Sequence, residues 1–172
     1  LGTGIHVIPI LTDEMYNNPT EFLKKNESAD LVVTTFFHLQ EVKEFLKNEN
    51  KSIIAIALDP QIETMVNIAR AASPHKKIGL ICITEKFAQR VFKSIKHAGI
   101  KYKSITFTTT QDTKELKDFI NNCDILITSP GRKKKAKKLI KDSTPLIEFI
   151  YIPDKGSIDT LNNKILDIKR ER

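Results

Sequence analysis

Short β-branched runs alternate with segments of helical periodicity along the whole chain. Most of the runs are continuous apolar stretches and not strict alternations, a pattern typical of strands that are covered on both faces. Strands are therefore predicted at residues 5–10, 30–36, 52–58, 77–83, 103–108, 124–129 and 145–152.

Amphipathic segments separate these runs and predict helices. The segment before Gly99 ends at a residue suited to a left-handed helix cap, and Asp112 with Glu115 has the spacing of a capping box. Repeated βα units favour parallel strands with right-handed crossovers, so the sequence predicts an α/β protein. The helices are expected at residues 19–26, 38–49, 60–72, 85–98, 112–122, 132–141 and 155–170.

One half of the chain resembles the other when the sequence is shifted by about 94 positions. "DLVVTTFFH" (30–38) then falls on "DILITSPGR" (124–132), and Gly4 falls on Gly99. This repetition predicts an internal duplication that forms two similar Rossmann-like or flavodoxin-like parallel-sheet lobes.

The duplication also predicts domain boundaries. We expect a first α/β lobe at 1–73, a second at 74–144, and a final strand and helix at 145–172 that pack on one lobe or cross between the two. The second half opens with a βα unit that has no counterpart before Gly4. Leu1–Gly4 is therefore expected to end a helix whose body, with its strand, is encoded upstream of Leu1.

Composition narrows the class of protein. The chain has 172 residues, of which 40% are hydrophobic, enough for one compact unit or two small lobes. No stretch approaches the roughly 20 apolar residues of a membrane span. Cys82 and Cys123 lack the spacing of a metal site or a disulfide framework, and Cys82 within an apolar run indicates a buried, reduced thiol. These features favour a cytoplasmic location.

Basic residues are concentrated in one segment. The formal net charge is +7, and the excess lies in "RKKKAKKLIKD", residues 132–142. On a helix Ala136, Leu139 and Ile140 share one face while the lysines cover the rest. This pattern favours a solvated helix face over a DNA-binding patch.

A ligand of such a protein is expected at the carboxyl ends of the parallel strands, where loops and helix N-termini meet. The residues that follow the predicted strands are rich in hydroxyls. The candidate ligand-binding residues are Thr34, Thr35, Phe36, Asp59, Thr84, Glu85, Thr109, Thr128, Ser129, Gly131, Arg132, Lys155 and Ser157.

The stretch "TSPGR" (128–132) is the best single candidate among them. Its hydroxyls can donate, Gly131 permits close approach of the backbone, and Arg132 can hold an anion in bidentate fashion. "PDKGS" (153–157) is the second. The same residue types are also ordinary helix caps and turns, so both interpretations stay open.

In the first half of the chain the repeated segment ends in "TTFFH" (34–38), which differs from "TSPGR" (128–132) in the second half. One of its two phenylalanines is expected in the core and the other exposed, where it can stack on a flat ligand, and His38 is expected to begin a helix. The repeat would then build one polar, cationic wall and one aromatic wall. The linkers 71–77 and 141–145 are hinge candidates.

Catalytic motifs do not stand out. The chain has no GxSxG, P-loop or GxGxxG, its histidines lack metal spacing, and no cofactor or metal is implied. Racemases acting on acidic amino acids place a cysteine at a strand's carboxyl end in each lobe, whereas Cys82 lies mid-strand and Cys123 precedes its strand. The sequence therefore predicts a non-catalytic protein.

"ADLVVTTFFHLQEVKEFL" (29–46), "DILITSPGRKKKAKKLI" (124–140) and "EFIYIPDKGSIDTLNNKIL" (148–166) resemble the effector-sensing C-terminal domain of certain bacterial GntR-family transcriptional regulators. The resemblance implies a periplasmic-binding-protein-like fold, a small polar or anionic metabolite as ligand, and a homodimer without membrane contact. It also implies an upstream winged-helix domain that binds operator DNA. The alternatives are a solute-binding protein of an ABC-type transporter and, less favoured, a racemase-like enzyme.

Overall fold

The structure, a computed structural model, describes residues 4–12, 14–141 and 143–171. Its strands are β1 (Leu31–Thr35), β2 (Ser52–Ile56), β3 (Leu58–Pro60), β4 (Lys77–Ile81), β5 (Ser104–Thr108), β6 (Ile125–Thr128), β7 (Leu146–Glu148) and β8 (Tyr151–Pro153). Its helices are α1 (Glu14–Asn17), α2 (Pro19–Glu27), α3 (Leu39–Phe45), α4 (Ile62–Ala71), α5 (Glu85–His97), α6 (Thr113–Asn121), α7 (Lys133–Lys137) and α8 (Lys155–Arg170). The predicted α/β class with parallel strands is confirmed.

The chain divides into two compact units, and each is formed by its own set of elements. Unit 1 comprises the described parts of Leu1–Asp59 and Pro153–Arg172, and unit 2 comprises Pro60–Ile152. These boundaries differ from the predicted lobes because α4 packs in unit 2. The Gln61 N–H donates to the Ile150 carbonyl at 2.9 Å, and Ile68 is fully buried in the unit 2 core.

Unit 2 is built on a four-stranded parallel sheet with strand order β5-β4-β6-β7. Strands β4 and β6 are the inner strands, and every residue of β6 is buried. Gly79 of β4 lies opposite Leu126 of β6, which in turn lies opposite Leu146 of β7. Burial on both faces explains why these segments are continuous apolar runs in the sequence.

Helices cover both faces of this sheet. On one face Ile78, Leu80 and Ile127 pack with residues of α4 and α5, and on the other Ile81 and Leu126 pack with residues of α6 and α7. The chain moves from β4 outward to β5 and then returns past β4 to β6. The strand order thus reverses between β4 and β6, which is the switch point at which doubly wound sheets bind ligands.

Three helix ends in unit 2 are capped: the C-terminus of α5 by a glycine, and the N-termini of α5 and α6 by side chains. Gly99, one residue past the C-cap of α5, has a φ of +68°, as the predicted left-handed cap requires. Asp112 accepts a hydrogen bond from the Glu115 N–H at 2.8 Å, and Thr84 accepts one from the Phe87 N–H at 3.3 Å. These side chains satisfy amide groups that have no partner within the helix.

Unit 1 contains the parallel pair β1–β2, with Leu31 opposite Ser52. Its core is formed by Met15, Phe22, Val42 and Leu46, which α1, α2, α3 and the residue after α3 contribute. The Phe22 ring meets the Phe45 ring edge-on at a centroid distance of 5.1 Å. The predicted helices at 19–26 and 38–49 are thereby confirmed, although the second ends earlier, at Phe45.

Four predicted elements differ from the structure. Residues 5–10 do not form a strand, because Pro9 cannot donate to a ladder and no described strand pairs with them. The predicted strands 52–58 and 145–152 each break in two, and their second parts, β3 and β8, pair with each other. The helix predicted at 132–141 is reduced to α7, since lysines four residues apart repel along its surface.

Parts of two predictions fall outside the described residues. The expected helix end at Leu1–Gly4 includes residues 1–3, and the linker 141–145 includes residue 142. Within the described ranges, none of the helices combines the length and the apolar character that crossing a bilayer requires.

Gly79→Ala is expected to destabilise the protein by about 1–3 kcal/mol through overpacking. A Cβ at this position would overlap Cys123 Sγ and lie 2.9 Å from Phe119 Cε1. Urea denaturation of the full chain measures the change, and combining the substitution with Cys123→Ala should recover part of it.

Gly156→Ala is the matched control. Its added Cβ would meet only Asp154 Oδ1 at 3.7 Å, in the first turn of α8, so stability should stay constant or rise by about 0.5 kcal/mol. Equal stability of both variants would contradict the close approach of β4 to Cys123.

Candidate functional site

The carboxyl edge of the unit 2 sheet gathers seven of the predicted ligand residues. They lie on the segments that follow β4, β5 and β6, next to the switch point. The seven residues are Thr84, Glu85, Thr109, Thr128, Ser129, Gly131 and Arg132. The other six belong to unit 1.

The turn after β6 is held by backbone hydrogen bonds. The Ser129 N–H donates to the Ile81 carbonyl at 3.0 Å, and the Phe149 N–H donates to the Thr128 carbonyl at 2.8 Å. Pro130–Arg132 then form one 3-10 turn, in which the Arg132 N–H donates to the Ser129 carbonyl at 3.0 Å. These bonds fix the backbone from which the side chains of Thr128, Ser129 and Arg132 project.

Arg132 is buried, with only 5% of its surface exposed. Its Nη2 donates to the Thr110 carbonyl, whereas Nε has no hydrogen-bond partner among the described residues. No carboxylate of the described residues forms an ion pair with this guanidinium, although several surface lysines have such partners. A buried guanidinium without a counter-charge is costly, because its desolvation is not repaid by Coulomb attraction.

The hydroxyls of Thr128 and Ser129 are also buried without a hydrogen-bond partner among the described residues. Thr128 is fully buried and Ser129 is 5% exposed, yet neither Thr128 Oγ1 nor Ser129 Oγ has a partner among the described residues. Buried polar groups in proteins are nearly always hydrogen-bonded. Thr128, Ser129 and Arg132, at the end of β6 and in the turn after it, are therefore the candidate site of the described residues.

Cys82 lies directly after β4, at the carboxyl end of that strand, so the mid-strand position predicted from the sequence is wrong, because β4 ends at Ile81. The thiol is within the electrostatic reach of Arg132. Burial raises the pKa of its thiol, and the positive charge of Arg132 acts against that rise. The thiol donates to the Thr84 carbonyl at 3.3 Å. Cys82 is a buried, free cysteine, as the sequence predicts, and the neutral thiol is favoured at neutral pH.

The four remaining predicted residues of unit 2, of which Gly131 is one, are exposed. Thr84 caps α5, Glu85 accepts a hydrogen bond from Gln89 Nε2 at 3.2 Å, and Thr109 follows β5. Thr84 thus has a structural role as a helix cap beside any contact with a ligand.

In unit 1, Thr34 and Thr35 end β1, and the buried Thr35 Oγ1 has no partner among the described atoms. Phe36 and Phe37 are 59% and 53% exposed, so the expectation that one of them packs in the core is wrong. Both rings belong to the short turn between β1 and α3, outside the core cluster of unit 1. His38 precedes α3, as predicted, and its Nδ1 lies 2.9 Å from Glu41 Oε2.

The other predicted residues of unit 1 surround the start of α8. Ser157 Oγ accepts a hydrogen bond from the Ala57 N–H at 2.8 Å, and the Ser157 N–H donates to Asp154 Oδ1 at 2.6 Å. Asp59 and Lys155 are exposed. Ser157 thus has a structural role beside any contact with a ligand.

Arg132 and Lys133 contact two residues outside the set of candidate ligand-binding residues. Thr110 supplies the carbonyl that receives Nη2, and Glu148 of β7 forms a 2.7 Å ion pair with Lys133. The position of Thr110 just after β5 was an available signal, whereas the Glu148 pair depends on β7 lying beside β6. The lysine-rich segment has Ala136 buried and most of its lysines exposed, which agrees with the predicted solvated face. No cluster of metal ligands occurs in the described parts of the chain.

Comparisons with known proteins agree with this fold. The sequence profile of a family described as the YmtS Rossmann-like domain matches residues 79–172. An uncharacterized protein in the mutS 5′ region of Clostridium tetanomorphum is 38% identical over 93 residues, which are 54% of this chain and 93% of that protein. No solved structure matches the chain. The profile match spans all seven candidate residues of unit 2.

Ser157→Ala is expected to lower the free energy of unfolding by about 1 kcal/mol, because the Ala57 N–H loses its acceptor. Ser129→Ala is the matched comparison and should change stability by less than about 0.5 kcal/mol, since its hydroxyl has no bond to lose. Chemical denaturation of both variants checks this order. A larger loss for Ser129→Ala would mean that its hydroxyl is satisfied in solution.

Arg132→Met is expected to raise the pKa of the Cys82 thiol further, because the substitution removes the positive charge that lowers it. The ¹³Cβ chemical shift of labelled cysteine, followed against pH, measures this pKa. Arg70→Met, at an exposed position of α4, should leave the titration unchanged. If the pKa of Cys82 is unchanged in Arg132→Met, the charge of Arg132 does not act on the Cys82 thiol.

Proposed function

The chain belongs to the YmtS Rossmann-like domain family, and we propose that it has a non-catalytic role in binding a small polar or anionic metabolite. In this proposal the chain is the effector-sensing domain of a bacterial transcriptional regulator of GntR type, whose DNA-binding domain is encoded upstream. The observation that carries the binding role is the buried Arg132, which has no carboxylate partner among the described residues. It lies close in sequence to Thr128 and Ser129, whose buried hydroxyls also have no partner within the described ranges.

The chemistry around this turn favours binding over catalysis. The nearest thiol, Cys82, has a raised pKa and donates to a backbone carbonyl, so it is a poor nucleophile. Cys123 also has a pKa raised by burial, and it precedes β6 at the opposite end of the sheet from Arg132. A racemase-like enzyme with paired thiols at the strands' carboxyl ends is therefore the least favoured candidate.

The proposal includes the internal duplication, and four pairs of element starts support it. The first members are Pro19 (α2), Leu31 (β1), Leu39 (α3) and Ser52 (β2), and the second members are Thr113 (α6), Ile125 (β6), Lys133 (α7) and Leu146 (β7), each 94 residues later. Gly4 and Gly99, which the shifted sequence brings together, are the positive-φ glycines of the described residues. Thr35 and Ser129, also related by this shift, both carry a buried hydroxyl that has no partner among the described atoms.

A reciprocal exchange of helices supports a periplasmic-binding-protein-like arrangement. Helix α4 follows the first repeat but packs with β7 in unit 2, and α8 follows the second repeat but packs with β2 in unit 1. Equivalent backbone bonds hold them, from the Gln61 N–H to the Ile150 carbonyl and from the Asp154 N–H to the Ala57 carbonyl. The homodimer and the operator DNA are further parts of the regulator proposal.

A solute-binding protein of a transporter is the second candidate, because the same fold and the same polar turn would serve it. The reading frame upstream of Leu1 discriminates between the two. A basic winged-helix segment there would support the regulator. A signal peptide or a lipid-anchor cysteine would overturn the regulator and leave the binding role intact.

A ligand screen by thermal shift, with the full chain and a library of polar metabolites, tests the binding role. Arg132→Ala is expected to weaken binding of an anionic hit by about 1.5–3 kcal/mol, the range for a charge-assisted hydrogen bond. Calorimetry measures the affinity, and Arg70→Ala is the exposed control. Equal affinity of the Arg132→Ala variant for every anionic hit would contradict a role of this turn in binding.

A further inference from the structure

Positive charge is gathered at the amino edge of the unit 2 sheet, the edge opposite the turn after β6. Unit 2 has most of the lysines and arginines of the chain but fewer than half of its carboxylates. Parallel strands begin at one edge of a sheet, and the segments that lead into β4 and β5 there read "SPHKK" (73–77) and "KHAGIKYK" (96–103). The four exposed lysines of these segments, hereafter the amino-edge lysines, are Lys77, Lys96, Lys101 and Lys103.

Backbone pairing brings Lys77 close to Lys103. Lys77 lies opposite Ser104 in the parallel pair β4–β5, and the Lys103 N–H donates to the Lys76 carbonyl at 2.8 Å. Neighbouring strands in a sheet lie about 4.8 Å apart. The two lysines therefore enter the sheet side by side.

The connection between α5 and β5 places the other two lysines at the same edge. The last turn of α5 closes with a hydrogen bond from the Gly99 N–H to the Lys96 carbonyl at 3.0 Å. Tyr102 packs against the unit 2 core, whereas Lys101 and Lys103 on either side of it are exposed. The negative end of the α5 dipole attracts Lys96. The lysines that precede the strands have no such helix end of their own.

The amino-edge lysines have no counter-charge among the described residues. None of them forms an ion pair there, whereas Lys25, Lys47 and Lys133 each do. Asp124, which precedes β6 at this edge, accepts a hydrogen bond from the Lys77 backbone N–H at 2.7 Å. Like charges that are gathered without partners repel each other and produce a positive potential, which attracts a polyanion.

The residue types at this edge fit a phosphate backbone. Neither segment 73–77 nor segment 96–103 has an exposed large hydrophobic side chain, so the edge offers no apolar anchor for a bilayer and no ring on which unpaired bases could stack. The two segments also lack Arg, Asn and Gln, the residues that read base edges in bidentate fashion. Lysine binds phosphate as a point charge, without sequence information.

We propose that the amino edge of unit 2 binds the phosphate backbone of duplex DNA, without sequence preference, through the amino-edge lysines. These lysines lie outside the lysine-rich segment 132–142 and outside the turn after β6. The proposal goes beyond the metabolite-binding role and does not depend on it. In a regulator, this contact would add to the operator binding of the upstream domain.

The test uses the full chain and two short fluorescein-labelled DNA duplexes of unrelated sequence. Fluorescence anisotropy is expected to give equal affinities for both, with the logarithm of the binding constant falling linearly with the logarithm of salt concentration. Replacing Lys77, Lys101 and Lys103 together by Gln should reduce this slope by about 2–3, because each phosphate contact contributes about 0.9. The same triple variant should bind at least about tenfold more weakly at low salt.

A second triple variant is the matched control. It replaces three exposed lysines by Gln at the second residues of α5, α6 and α7, which start from the carboxyl edge of the same sheet. The net charge is then equal to that of the first variant, so affinity should fall by less than about threefold and the slope should stay unchanged. The control substitutions are Lys86→Gln, Lys114→Gln and Lys134→Gln.

Amide chemical shifts of the unaltered chain locate the contact without any substitution. Addition of either duplex is expected to shift the ¹H–¹⁵N resonances of residues 73–77 and 96–104 and to leave those of the carboxyl edge unchanged. Shifts elsewhere would overturn the proposal. This measurement also decides the matter if the first triple variant fails to fold.

The remaining outcomes are equally decisive. Equal losses of affinity in both triple variants would mean that a basic chain attracts DNA in general, and absence of binding at low salt would mean that it does not bind at all; either result overturns the proposal. Anionic vesicles and poly-L-glutamate are the competing probes. Tighter binding of either one through the same lysines would overturn duplex DNA as the partner. None of these results bears on a metabolite at the turn after β6.

Discussion

Burial of the paired inner strands β4 and β6 is the constraint on which unit 2 depends. Both strands are covered by helices on each face, so their side chains form the two cores that stabilise the sheet. The chain leaves both strands at the same edge, beside the switch point. Thr128 and Ser129 continue β6 into that edge and are therefore buried for the same reason as Ile125–Ile127 before them.

The polar turn adds no stability of its own. Arg132 is buried with one carbonyl acceptor, and the hydroxyls of Thr128 and Ser129 have no partner in the described part of the chain. Their burial costs free energy that the apolar cores must offset. Proteins retain such groups mainly where function requires them. In unit 2, different residues serve stability and polar chemistry. Ile78, Leu80 and Ile127 stabilise the sheet, and the residues after β6 provide the polar groups.

Local sequence signals predicted those elements whose partners lie nearby. Gly99 and Asp112 mark helix ends because the caps act within a few residues, and the apolar runs of β4 and β6 mark buried strands. Residues 5–10 have a similar apolar composition but form no strand. A strand needs a neighbour to receive its hydrogen bonds, and whether one exists is decided by the rest of the fold.

The sequence by itself determined the α/β class, most element positions and the place of the polar turn after β6, because periodicity and strand ends are local properties. It also offered Arg132 as an anion ligand, with a solvated lysine-rich face as the competing interpretation for its segment. Only the tertiary structure decided that Arg132 is buried, that none of the described carboxylates pairs with it, and that α4 packs in unit 2. Burial and the absence of a counter-charge depend on which distant segments pack together, and neither property is written in the residues near position 132.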